Sequence, residues 1–167
     1  MIRYGLSILT LGFLLAGPGF ADDAPDPDPK SMMMFVSVNV LDLERSLAFY
    51  EGILGMQEFT RYEHENLTEV VLSFTRSDPT QPPPDRSSML VLMHHHDRRE
   101  PYAHGESFSR IAFGVSDVEA LVEAVRTAGL EVTREPKALP DSGMMLAFVR
   151  DPDGFRIELI GSQQAPH

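Results

Sequence analysis

Two stretches of this chain lie over one another residue by residue. Val36-Ser-Val-Asn-Val-Leu-Asp-Leu-Glu44 matches Ile111-Ala-Phe-Gly-Val-Ser-Asp-Val-Glu119. The correspondence continues downstream: Leu54-Gly-Met lies over Ala128-Gly-Leu, and Leu90-Val-Leu over Ile157-Glu-Leu. Order, helix caps and glycines all agree, so chance similarity of two amphipathic segments is a poor account of the match. The chain is built from two copies of one supersecondary unit.

Each copy spells out strand, helix, strand, strand, strand. Residues 34–40 alternate as a half-buried strand does. Asp42 is placed to cap a helix that carries Leu43, Leu47, Phe49 or Tyr50, and Leu54 on its core face, and Gly55 ends it. Residues 57–63, 68–74 and 88–94 read as the next three strands, with a proline-marked loop at 78–87. In the second copy 110–115 is a strand, and Asp117 caps a helix with Val118, Leu121, Val122 and Val125 on one face. Gly129 ends that helix, and strands follow at 131–134, 144–150 and 155–160. The fold class is α+β: two tandem βαβββ modules, 33–97 and 107–161, inside one domain over 32–163.

The N-terminal residues read differently. Arg3 gives a positive start, Leu6 to Ala16 is an apolar run of signal-peptide length, and Gly19-Phe20-Ala21 offers small residues for cleavage after Ala21. Residues 1–21 are therefore expected to be a signal peptide, and 22–31 a disordered acidic, proline-rich leader. An uncleaved anchor is the competing reading. The mature protein is expected to be exported, periplasmic or secreted, with no stable membrane insertion after cleavage. The net charge of −11 argues against nucleic acid as a partner. The absence of cysteine excludes disulfides, a thiol nucleophile and thiolate metal sites.

Strand parity sorts the side chains into two faces. Val36, Val38 and Val40, then Ile111, Phe113 and Val115, then Ile157 and Leu159, are uniformly apolar and suit packing under the helices. The other face is mixed: Phe35, Ser37 and Asn39; Met89, Val91 and Met93; Arg110, Ala112 and Gly114; Arg156, Glu158 and Ile160. A carboxylate in mid-strand such as Glu158 needs a partner if it is buried. The mixed face suits an organic ligand with a charged handle. The turn before it, Asp151-Pro-Asp-Gly154, pairs a φ-fixing proline with a glycine free to take φ > 0.

The repeat, Leu43-Glu-Arg-Ser-Leu-Ala-Phe-Tyr50 with Leu54-Gly-Met, and the stretch 148–160 together resemble the vicinal oxygen chelate superfamily, and within it glyoxalase I-like proteins. The resemblance covers residues 33–161 and implies a curved mixed sheet around a cup-shaped cavity. It also implies metal ligands near the start of each module's first strand and in its fourth strand. Those positions fall here on Phe35, Val91, Arg110 and Glu158. Only Glu158 is a ligand type, so no cofactor is expected at these positions, although a divalent metal elsewhere stays open. Many relatives are dimers, so a homodimer is compatible with the resemblance.

Three readings follow. The first is a small-molecule-binding protein comparable to bleomycin-resistance-type members, with Phe35, Asn39, Val91, Met93, Arg110, Arg156 and Glu158 around the ligand. Arg110 and Glu158 are expected to face one another, either as a ligand handle or as a structural ion pair. The second is a lactoylglutathione lyase-like isomerase or other metal-dependent enzyme of the superfamily, using either a relocated metal on His95, His104 and Glu158 or a metal-free proton transfer with Glu158 as base. His94-His95-His96 reads equally as a solvated strand end, since only His95 shares the face of Val91 and Met93. The third is a non-catalytic interaction module whose cup is plugged by Phe35 and Val91. The methionines at 32–34, 89, 93, 144 and 145 read as core and cavity filler, and Asp151, Asp153 and Glu131 as turn and surface acids.

Overall fold

The computed structural model describes residues 33–75 and 88–163. The expected signal peptide, the acidic leader and the whole 78–87 loop lie outside the described residues. The described part belongs to the unit that begins at Met33. Its elements run β1 (Phe35–Val40), α1 (Leu43–Tyr50), β2 (Gln57–Glu63), β3 (Leu67–Ser73) and β4 (Met89–His95). The second module repeats them as β5 (Ile111–Gly114), α2 (Val118–Thr127), β6 (Val132–Ala138), β7 (Met144–Arg150) and β8 (Arg156–Ser162). This is the α+β class with two βαβββ modules.

Each module makes its own four-stranded sheet, ordered β1-β4-β3-β2 and β5-β8-β7-β6. The first strand pairs in parallel with the fourth: Ser37 lies beside Val91, and Ala112 beside Glu158. The remaining pairs are antiparallel. β6 is longer than its sequence pattern predicts. Pro136 and two register shifts break the alternation that marks a strand, and β6 tolerates both because it is an edge.

The helices start where the aspartates place them. Asp42 Oδ1 accepts the Arg45 amide at 3.0 Å, and Asp117 Oδ1 accepts the Ala120 amide at 2.9 Å. Gly55 and Gly129 follow the helices at φ 77° and 73°, a conformation costly to side-chain-bearing residues. Leu47, Phe49 and Tyr50 of α1 are buried with Val38, Val40, Val70, Leu72, Leu90 and Leu92 of the first module. Val118, Val122 and Val125 of α2 are buried with Phe113, Ala147, Val149, Ile157 and Leu159 of the second. Fully burying each large aliphatic side chain stabilises by about 1.5–3 kcal/mol, so the apolar faces carry the fold.

Asp151 and Asp153, expected to be surface acids, are instead buried between the modules. Asp151 Oδ1 accepts the amides of Asp153 (3.0 Å) and Phe155 (2.7 Å), and its Oδ2 accepts the Tyr50 hydroxyl at 2.7 Å. Asp153 accepts the Leu41 amide and the Ser46 hydroxyl, both at 2.9 Å. Arg45 lies 3.6 Å from it. A turn of module two thus holds helix α1 of module one. Burial pushes the Asp151 carboxyl up from its ordinary pKa, against the opposing pull of its hydrogen bonds. Burial, then the Asp151 charge, pushes the Tyr50 phenol well up. The sequence pattern showed the turn but not what it would touch.

Candidate functional site

β8 brings Glu158 to the middle of the mixed face of the second sheet. Its side chain is 12% exposed, so its charge needs a partner. Arg110, immediately ahead of β5, supplies one: its Nε donates to Glu158 Oε2 at 2.5 Å. The parallel β5–β8 pairing explains the meeting, since Ala112 lies beside Glu158 and Arg110 stands two residues earlier. The Arg110 side chain remains 45% exposed, so its terminal nitrogens reach solvent.

Phe148 of β7 lies opposite Glu158. Three guanidinium groups gather over its ring: Arg156 at 4.1 Å from the centroid, Arg134 at 5.8 Å and Arg110 at 5.9 Å. Each gains from the negative π face of the ring. The result is a basic patch with Glu158 set in it, on a chain of net charge −11. Such a patch can grip a carboxylate or phosphate in a fork. Sequence reading missed Arg134, because the register shifts on either side of it defeat a parity count. The structure pairs it with Phe148 across the β6–β7 hairpin.

The remaining residues singled out above spread over the first sheet. Asn39 is exposed, Met93 is half-buried, and Val91 is 4% exposed, buried within its sheet. Phe35 is 50% exposed. Phe35 and Arg110 line a common cavity of about 510 Å³ between the first strands of the two modules. Neither Asn39, Val91, Met93, Arg156 nor Glu158 lines it.

The histidines do not gather. His95 lines a separate surface depression with Asp97, Arg98, Arg99, Glu100 and Tyr102. His104 Nε2 lies 2.8 Å from the Asp153 carbonyl, and its ring stands edge-on to Phe155. Glu158 is engaged by Arg110. Among the described residues no three His, Cys, Asp or Glu side chains are grouped to hold a metal ion. His96 has a role that parity did not show: Nε2 lies 2.9 Å from the buried Thr68 hydroxyl, which donates to Glu63 at 2.5 Å.

Paired βαβββ modules with an acid in the final strand define a glyoxalase-like protein. The family described as the Glyoxalase/Bleomycin resistance protein/Dioxygenase superfamily matches residues 33–159, and the chain belongs to it. It is 33% identical over 128 residues to a lactoylglutathione lyase of Haemophilus influenzae, covering 77% of this chain and 90% of that one. It superimposes on the trypanothione-dependent glyoxalase I of Leishmania major with a TM-score of 0.62 and 31% identity, covering 78% of this chain and 86% of that one. On glyoxalase I of Zea mays the TM-score is 0.66 at 27% identity, over 80% of this chain and 45% of that one.

A divalent metal is plausible in such relatives, but the four positions at which the family resemblance places its ligands do not fit one here. Phe35 and Val91 carry no donor atom, Arg110 is a fixed cation, and Glu158 already accepts a hydrogen bond from that cation. A guanidinium stands beside the one carboxylate of the set, and a dication would have to displace it.

Proposed function

We propose that this is an exported small-molecule-binding protein that holds an organic anion on the mixed face of its second module, without a metal at the family's ligand positions. The observation that carries this is the Arg110–Glu158 pair at two of those positions, with Arg134 and Arg156 beside it. The ligand's anionic group would be held by guanidinium groups, and Phe148 would support their orientation. Export is supported by the charge and apolar pattern of residues 1–21.

The test is a thermal-shift screen of the mature, untagged protein against small carboxylates and phosphates, with metal content measured by mass spectrometry on the same sample. A ligand at 100 times its Kd should stabilise by about 2.7 kcal/mol, and Arg156→Ala should reduce that. One bound transition-metal ion per chain, lost in His95→Ala, would mean a relocated metal site and would put an enzyme ahead of a simple binding protein. N-terminal sequencing of secreted material should begin at Asp22.

One observation favours a second reading. Over 128 residues the chain is 33% identical to a lactoylglutathione lyase, and it carries Glu158. Glu158 could serve as a general base if a substrate drew Arg110 away from it. Turnover that is lost in Glu158→Gln and survives chelator treatment would establish that reading in place of simple binding.

A further inference from the structure

The cavity between the first strands of the modules is chemically unlike the mixed face of the second sheet. Met34, Met56, Met89, Phe108, Ile111 and Phe113 are among its lining residues, and among the described residues Arg110 is the one charged side chain that lines it. Among the described residues no carboxylate lines it. Its volume of about 510 Å³ falls in the range of small-ligand sites. Thioethers on flexible stems adapt to apolar guests of differing shape.

Arg110 stands at the border of both regions. Its Nε is used by Glu158, while its two terminal nitrogens donate to no side chain or carbonyl among the described residues. A guanidinium has five N–H donors, so a second carboxylate can be bound without breaking the first pair. The half-exposed side chain places those donors where an entering head group would meet them.

We infer that this cavity binds an amphiphilic carboxylate, its alkyl or aryl body among the methionines and phenylalanines and its head group on the terminal nitrogens of Arg110. A neutral chain of the same length lacks the head-group contact. A short carboxylate lacks the apolar burial. The site shares Arg110 with the anion site proposed above but does not depend on Arg134 or Arg156.

Gly114 offers a clean way to close it. Gly114 lines the cavity, its φ is not in the left-handed region, and a Cβ built on it meets nothing within 4 Å. Gly114→Leu should therefore occupy the cavity without disturbing the backbone or the Arg110–Glu158 pair. Isothermal titration of the full mature chain with octanoate, octan-1-ol and butyrate provides the test. Octanoate should bind at least tenfold more tightly than either comparator. Gly114→Leu should weaken octanoate at least tenfold, and Arg110→Met should make octanoate and octanol equal. Arg134→Ala and Arg156→Ala should leave octanoate unchanged. Equal binding of octanoate and octanol to the unmodified protein would overturn the inference. So would unaltered octanoate binding in Gly114→Leu. Loss of octanoate in Arg156→Ala with retention in Gly114→Leu would overturn it too, and would place the ligand on the mixed face instead.

Discussion

β4 and β8 occupy the same place in their modules, each paired in parallel with a first strand and antiparallel with a third. On the face under the helix they are interchangeable: Leu90 and Leu92 in one, Ile157 and Leu159 in the other, all buried. On the opposite face they diverge. Val91 is buried and neutral beside Ser37, while Glu158 is buried and charged beside Ala112. The residue at the start of each module's first strand diverges in step, Phe35 opening β1 in one module and Arg110 immediately ahead of β5 in the other. The apolar packing lies on one side of each sheet and the difference in charge on the other, so one side can change without the other.

The largest effect should come from forcing the modules to match. Val91→Glu would bury a carboxylate without a partner and should cost about 3–5 kcal/mol by chemical denaturation. Adding Phe35→Arg should recover more than half of that; no recovery would show that the equivalence of the two modules stops at the backbone. Breaking the link between modules comes next. Asp151→Ala would strand the Tyr50 hydroxyl and two backbone amides, costing about 3 kcal/mol. Arg110→Met leaves Glu158 unpaired, and because Arg110 is nearly half exposed the cost should fall below that of a buried pair, at about 1–3 kcal/mol. A double-mutant cycle with Glu158→Gln would isolate the pair itself.

The smallest effect concerns pH. The Asp151 carboxyl is raised in the folded protein, so the native state holds this proton more tightly than the unfolded chain does. Its charge therefore opposes folding above the raised folded value. That opposition fades as pH falls toward the unfolded value, and has gone below it. Asp151→Asn keeps the shape without the charge. Relative to the variant, the unmodified protein should gain thermal stability as pH drops through that window. A constant difference in melting temperature between the two proteins across the window would refute this.

The repeat, the caps and the apolar faces were legible in the sequence because each is a local pattern with a fixed period. The facing of Arg110 and Glu158 was legible too, because parallel pairing within a known module brings them together. What stayed hidden depended on contacts between distant elements or on broken periodicity. Arg134 sits between two register shifts, so counting alternate residues could not assign its face. The bond of Thr68 to His96 links β3 to a residue just past β4. Asp151 and Asp153 looked like surface acids because a DPDG turn usually faces solvent, and nothing local records that Tyr50 and Ser46 wait opposite.

That last arrangement bears on how the chain can be made. Synthesis runs from the N-terminus, so Tyr50 is in place while its acceptor, 101 residues further on, has yet to emerge. Until then the first module has a phenol with no place to put its hydrogen bond if the core closes over it. A nascent first half should therefore stay loose, or dock wrongly, until the second half arrives. A truncated chain ending before Asp151 should behave as a client of chaperones, not as a small stable domain.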